Sequence, residues 1–331
     1  MTVISYREAL NQALREEMQR DDSVFLMGED IGLYDGSFKV TQGLFKEFGE
    51  RRVKDTPIAE DGFVGMGVGA ALAGLRPVVE IMTVNFSLLA ADQIVNHAAK
   101  MRYMFGGHAC IPLVIRMPGG GGHQLGAQHS QSLEVWYANI PGLIVVAPAT
   151  PADAKGMLKS SIRNDNPVVF IEHEGLYGTK GEVPEGELLT PLCQADVKRE
   201  GRHVSLVAHS RMTLLCLQAA DELAKEGIEA EVVDLRTLRP LDANTLQASV
   251  EKTNHAVLVE EGWGGYGVTA ETAATIYEAA FDYLDAPLVR ISGVETPMPY
   301  AKRMEAACIP TVAHIVAGAK KTLNRPKQRD A

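Results

Sequence analysis

Short apolar runs rich in β-branched residues recur along the chain, separated by stretches with helical spacing. In the first half the runs are SVFLMG (23–28), PVVEIM (77–82), IPLVIR (111–116), LIVVA (143–147) and PVVFIE (167–172). Segments 87–104 and 153–163 lie between them and read as helices. Strands buried on both faces read as continuous apolar runs, and crossover helices are what cover those faces. The pattern predicts parallel sheet with helices on both sides. The stretch PATPADAKGMLKSSI adds a helix-start signal, with Thr150 or Asp153 close to a proline.

From about residue 179 to 194 the pattern lapses into glycine, proline and charge, which marks a domain boundary. Alternation then resumes with HVSLVA (203–208), a helix over 211–226, EAEVVDLR (229–236), a helix over 244–252, AVLVEE (256–261), a helix over 268–281 and PLVRIS (287–292). The expectation is two tandem three-layer α/β domains, 1–185 and 195–325, with a polar tail at 326–331. A length of 331 residues agrees with two domains. There is no internal repeat and no low-complexity segment.

Composition narrows the function classes. Acidic residues outnumber basic ones 42 to 32, a formal charge of −10, which leaves no electrostatic footprint for nucleic acid or an anionic membrane surface. The longest charge-free apolar stretch, 62–75, is too short to span a bilayer. The first residues show neither a basic region nor an apolar core of a secretion signal. Cys110, Cys193, Cys216 and Cys308 are scattered, without metal-ligand spacing. The expectation is a soluble intracellular protein, cytoplasmic or a mature organellar form.

Three motifs carry chemistry and each has a plain structural reading beside it. Gly65-Met66-Gly67-Val68-Gly69-Ala70 satisfies the dinucleotide pattern G-x-G-x-x-A, but the upstream RVKDTPIAEDG is no hydrophobic strand. Small residues at Gly65, Gly69, Ala70 and Ala73 more simply permit close helix packing. Pro118-Gly119-Gly120-Gly121-Gly122-His123 lacks the G-K-[ST] of a phosphate loop and reads as a mobile loop, with Gln128-His129-Ser130-Gln131 just beyond it. Glu60 closes DTPIAE before the glycine helix. An acid in such small, apolar company suits proton exchange when buried, and equally suits a helix N-terminus.

Several long segments together resemble a known family. DTPIAEDGFVGMGVGAALAGLRPVVEIMTVNF, DQIVNHAAKMRYMFGG and GAQHSQSLEVWYANIPGL are similar to the beta subunits of the thiamine-dependent 2-oxo acid dehydrogenase component. VVDLRTLRPLD, NHAVLVEEGW and APLVRISGVETPMPYAK extend the resemblance through the second half, from GEDIG near the start to the final helix. The flavour is nearest to the members that act on pyruvate; branched-chain 2-oxo acid and acetoin enzymes are the alternatives. A nicotinamide oxidoreductase and a non-catalytic scaffold are the rivals from other classes.

The resemblance implies a pyrimidine-binding domain of the thiamine-enzyme type followed by a transketolase C-terminal-like domain. It implies thiamine diphosphate as cofactor, at a site shared with an alpha subunit in an α2β2 heterotetramer. No Gly-Asp-Gly motif occurs, the nearest triplets being Tyr34-Asp35-Gly36 and Glu60-Asp61-Gly62, so the alpha subunit is expected to hold the diphosphate and its Mg2+. Carried over by position, Glu60 faces the cofactor's pyrimidine, Phe86 packs near it, and His129 lies near the substrate end. Glu29 and Asp92 extend a proton network. Leu113, Ser161, Ile162, Asn164 and Asn166 ligate a structural K+, with Asn164 standing where relatives often carry Asp. The expected partners are pyruvate and the lipoyl domains of a dihydrolipoyl acetyltransferase core, which would dock on the acidic C-terminal domain around Glu295.

Overall fold

The computed structural model describes residues 1–324, so the polar tail expected at 326–331 lies outside the described residues. The chain forms two compact units: residues 1–119 with 136–192, and residues 120–135 with 193 onward. The second unit is therefore discontinuous. The segment with the glycine cluster and His129, assigned by sequence to the first domain, groups with the second.

The first unit opens with β1 (Thr2–Ser5) and α1 (Tyr6–Arg20). Ser5 starts α1 with a capping box: Ser5 Oγ accepts from Glu8 N–H at 3.2 Å, and Glu8 Oε2 accepts from Ser5 N–H at 2.7 Å. Then follow β2 (Val24–Gly28), α2 (Leu44–Phe48), β3 (Val53–Asp55), α3 (Glu60–Leu72), β4 (Arg76–Glu80), α4 (Met101–Met104) and β5 (Val114–Gly119). After α5 (Glu134–Ala138) come β6 (Ile144–Val146), α6 (Pro151–Arg163), β7 (Val168–His173) and β8 (Lys180–Val183). Strands β6, β7, β5, β4, β2 and β3 lie side by side in that order, all parallel. β1 and β8 pair antiparallel as a separate ribbon. Helices α1 and α6 pack together, and α3 packs on β4. Thr150 caps α6, its Oγ1 accepting from Asp153 N–H at 3.2 Å, as the start signal predicts.

One expected helix forms irregularly. Over 87–104 the chain makes a 3₁₀ turn (Val84–Ala90), a π-helical turn (Gln93–Ala98) and the short α4. Polar side chains here bond locally in competition with a regular helix: Asn85 Nδ2 donates to Thr83 Oγ1 at 2.6 Å, and Ser87 Oγ to Val84 O at 2.5 Å.

The second unit contains β9 (Asp196–Arg199), β10 (Val204–Ala208), α7 (Ser210–Ala224), β11 (Ala230–Asp234), β12 (Thr237–Arg239) and α8 (Ala243–Thr253). It continues with β13 (Ala256–Trp263), α9 (Val268–Ala280), β14 (Val289–Gly293), α10 (Lys302–Cys308) and α11 (Val312–Leu323). Its sheet runs β14-β13-β10-β11-β9, parallel except for β9, which pairs antiparallel with β11. The sheet is thus parallel as expected, with the antiparallel β9 added at its edge. Helix pairs α7/α11 and α8/α9 cover it. A core of Val204, Leu206, Val232, Val257, Ile315 and their neighbours is wholly buried. Among the described residues no helix is long and apolar enough to cross a membrane.

Candidate functional site

In the first sheet the chain leaves β2 toward β3 on one side, while β4 and β5 continue on the other. The loops after β2 and β4 therefore diverge, which opens a crevice at the carboxyl ends of those strands. Glu29 follows β2 directly and is only 4% exposed. Its Oε2 accepts from Met82 N–H, just beyond β4, at 3.1 Å, so it ties the two diverging loops together. Glu60, the first residue of α3, is 3% exposed, and its carboxyl is close enough to that of Glu29 to disfavour the ionisation of Glu29. The structure thus brings together two of the predicted site carboxyls. Burial, and then the nearby charges of Glu60 and Glu80, push Glu29 up to about 7, against the partial opposition of the Met82 N–H.

Glu29 therefore takes up a proton more readily than an ordinary carboxyl does. The surroundings of the pair are open. Ile58 is 81% exposed and Met66 55%, and Pro57, Ala59, Asp61 and Gly62 are exposed around the buried Glu60. Phe86, half-buried, lies in the 3₁₀ turn after β4. Asp92 is exposed at the start of the π-helical turn, and its carboxylate meets Asn96 Nδ2 at 2.7 Å and His97 Nδ1 at 3.5 Å. These are local contacts rather than links in the Glu29–Glu60 pair.

Behind the pair lies a charged group that the sequence reading missed. Arg116, at 1% exposure, donates to Glu172 through Nε at 2.7 Å and Nη2 at 2.8 Å, and pairs with Glu80 through Nη1. Tyr177 OH donates to Glu172 Oε2 at 2.7 Å. Burial pushes the Glu172 carboxyl up even with Arg116 against it. The signal was present: each of these charges stands at or near the carboxyl end of an apolar run, in PVVEIM, IPLVIR and PVVFIE.

The glycine pattern at 65–70 lies wholly inside α3, with no strand-to-helix turn, so the dinucleotide reading fails. Close packing does occur, at Gly67, where a Cβ would come 2.7 Å from Val79 Cγ2; at Gly69 nothing lies within 4 Å. Small residues were expected to pack at Gly69, and the tight position is two residues earlier.

The five expected K+ ligands gather at the end of α6, its turn into β7 and the start of β5. Leu113 O accepts from Val168 N–H at 2.9 Å, and Ser161 O from Asn164 N–H at 3.1 Å. Arg76 Nη1 donates to Ile162 O at 3.0 Å and to Asn164 O at 3.2 Å. The Asn164 side chain is engaged in a turn, Oδ1 accepting from Asn166 N–H at 2.9 Å and Nδ2 at 3.0 Å. Residue 164 therefore offers its main-chain carbonyl, which Asp and Asn possess alike. A carbonyl has two lone pairs, so the donor set suits a hard monovalent cation that shares oxygens with Arg76. Among the described residues no three His, Cys, Asp or Glu side chains converge as metal ligands.

In the second unit His129 sits on the loop after the glycine cluster, its N–H bonded to Gly126 O at 3.2 Å. The loop is closed by Gly120 N–H to Gln131 O at 3.0 Å. Its backbone is engaged at two points: Gly121 N–H donates to Glu261 at 2.6 Å and Gly122 N–H to Glu305 at 2.9 Å. Glu134, close to Glu261 and Glu260, is pushed up to about 7 by burial and by those two charges.

Comparison with known proteins agrees with both units. Residues 2–180 match the transketolase pyrimidine binding domain and residues 193–315 the transketolase C-terminal domain. The mitochondrial pyruvate dehydrogenase E1 component subunit beta of Bos taurus is 51% identical over 97% of this chain and 91% of its own length. The Homo sapiens counterpart is 50% identical over the same shares, and the Arabidopsis thaliana subunit beta-1 is 49% identical over 98% and 90%. Among solved structures, a split gene transketolase described as an inactive beta4 tetramer superposes with a TM-score of 0.80 at 25% identity, covering 97% of this chain and 98% of that one. With half its residues shared along nearly its whole length, the chain belongs to the family of pyruvate dehydrogenase E1 beta subunits.

Proposed function

We propose that this chain is the beta half of a decarboxylating enzyme that takes pyruvate and passes the acetyl group to lipoyl domains of an acetyltransferase core. An alpha subunit supplies the diphosphate and Mg2+ contacts and completes an α2β2 tetramer. The observation that carries the reading is the Glu29–Glu60 carboxyl pair, buried at the carboxyl end of a parallel sheet yet ringed by exposed apolar side chains. Such a rim is costly to leave in water and suits a covering subunit. The inactive beta4 assembly of the split gene transketolase supports the view that beta chains alone make an incomplete site.

The residues suit thiamine diphosphate, because two buried carboxyls, with Glu29 pushed up to about 7, can offer both an acceptor and a proton to a ring nitrogen. When bound, the cofactor supplies the electron sink for loss of carbon dioxide from a 2-oxo acid. Glu60 would hold the pyrimidine through its carboxylate, with Glu29 beside it. Phe86 would line the ring. His129 donates a proton at the substrate end and assists acyl transfer. Asp92 would act as an acid apart from that pair, its carboxylate engaged with Asn96 and His97. The carbonyls of Leu113, Ser161, Ile162, Asn164 and Asn166 hold K+ and brace the end of α6. All four cysteines are free, which fits a reducing compartment, cytoplasmic or organellar.

The test is co-purification with an alpha subunit, followed by decarboxylation assays on pyruvate, 2-oxoisovalerate and acetoin. Pyruvate should be turned over fastest, and Glu60→Gln in an intact tetramer should lower turnover about 100-fold or more. Full activity of the isolated chain, or of Glu60→Gln, overturns the reading. The cation site is tested separately: the thermal midpoint should be higher in potassium than in choline, and equal midpoints refute it.

A further inference from the structure

The segment PGGGGHQLG alternates in backbone handedness. Gly120 (φ +86°), Gly122 (φ +112°), Gln124 (φ +57°) and Gly126 (φ +79°) are left-handed, every second residue. Alternation of this kind turns successive N–H groups toward one side, where they can enclose an anion. Here the anions are the protein's own. Glu261 accepts from Gly121 N–H at 2.6 Å. Glu305 of α10, 1% exposed, accepts from Gly122 N–H at 2.9 Å, Gln124 N–H at 3.1 Å and Gln124 Nε2 at 2.7 Å. Arg211 Nη1 donates to the Gly121 carbonyl at 3.2 Å and lies 3.5 Å from Glu261 Oε2, closing the ring.

Burial alone would raise the Glu305 carboxyl, but the donors from Gln124 and Gly122, with the charge of His123, hold it below the usual carboxylate range. It is an anion at working pH. Gln124 is the only non-glycine of the four, and its side chain bonds the same carboxylate that its backbone does. Further along, a Cβ on Gly126 would come 2.6 Å from Tyr300 Cζ, so the Tyr300 ring packs directly on that backbone. The Gly126 carbonyl in turn accepts from His129 N–H at 3.2 Å. An unbroken line of contacts runs from α10 through the loop to His129.

We propose that Glu305 is a positioning residue for His129: an internal anion that winds the glycine loop and fixes where it presents the imidazole, with Tyr300 as the second stop. The proposal rests on the role for His129 given above. It also gives the PMPYAK segment, which the active-site reading leaves unused, a task in the reaction.

The test uses the assembled holoenzyme with Glu305→Gln. Amide exchange at Gly122 and Gln124 should quicken about tenfold, with the rest of the second sheet unchanged. Acyl transfer to a free lipoyl domain should fall about tenfold in kcat, but less than about twofold when His129 is already alanine, because coupled residues are non-additive. Gly126→Ala, which disturbs the loop without touching α10, should give the same non-additive pattern should Glu305→Gln fail to assemble. Equal losses from Glu305→Gln (or Gly126→Ala) in both backgrounds, or unchanged exchange at Gly122 and Gln124, overturn the positioning role while leaving His129 intact. Undiminished acyl transfer in His129→Ala overturns the His129 reading and the proposal with it.

Discussion

Replacing Glu29 by glutamine tests the proton held by its carboxyl. The amide keeps the shape of a protonated glutamate: its oxygen can still accept from Met82 N–H, and its NH2 can donate toward Glu60. The wild-type group moves from the ordinary 4.5 to about 7, and at about 1.4 kcal/mol per pH unit that costs the fold about 3 kcal/mol once it is ionised. The sign follows from proton uptake. A carboxyl raised in the folded state binds its proton more tightly there, so its contribution is full below 4.5 and is lost as pH rises through about 7. About 1.4 kcal/mol has gone by pH 5.5 and about 3 kcal/mol by pH 8, so roughly 2 kcal/mol disappears between those two conditions. For a unit of this size that is about 4–8 °C in thermal midpoint. Thermal unfolding of wild type and Glu29→Gln at pH 5.5 and pH 8 should therefore show the variant gaining by that amount at the higher pH. Parallel pH dependences in the two proteins would refute the buried proton on Glu29.

Arg116→Met leaves Glu80 and Glu172 buried beside no counter-charge and should destabilise by about 3–5 kcal/mol. The loss should be smaller at pH 5.5 than at pH 8, since a carboxyl can take up a proton instead; thermal midpoints that fall equally at both would count against the ion triad. Gly67→Ala should cost about 1–3 kcal/mol, because its Cβ would meet Val79 Cγ2 at 2.7 Å and Leu113 Cδ1 at 3.3 Å. Gly69→Ala, two residues on in the same helix with nothing near, should instead stabilise by about 0.5–1 kcal/mol. Midpoints that shift the same way in both variants would show that α3 does not pack through Gly67.

The strands were the most legible part of the sequence, because an interior strand of a covered sheet admits few residue types: SVFLMG, LIVVA and HVSLVA each fall within two residues of the strand they predict. The helix at 6–20 was as readable, with Tyr6, Leu10, Ala13, Leu14 and Met18 on one stripe, but the strand-first reading passed over it. Segment 87–104 was less legible for a different reason. Its apolar spacing is helical and the chain does wind there, but through 3₁₀ and π-helical turns that apolar spacing does not distinguish from a regular helix. At the site, Glu60 was legible from local context and resemblance, while its closeness to Glu29 depends on which strands become neighbours. The glycine cluster's partners were not legible because four glycines reveal only freedom; the acids that engage its backbone, Glu261 and Glu305, lie 140 and 183 residues away.

An ionic group cannot be buried in a covered strand without a partner, so buried charge collects where loops begin or where a counter-charge meets it. In the first unit Glu29, Glu80 and Glu172 stand at or beside the carboxyl ends of β2, β4 and β7, Glu60 opens α3, and Arg116, in the middle of β5, is met by Glu80 and Glu172. Burial and the nearby charges of Glu60 and Glu80 disfavour a further negative charge at this end of the sheet, and they push Glu29 up to about 7. A sheet end where ionisation is disfavoured is a natural place for chemistry that begins with a proton. In the second unit the same arrangement is balanced differently. Glu261 lies beside Arg211 and a ring of loop N–H groups, and there the charge is used to hold a backbone still.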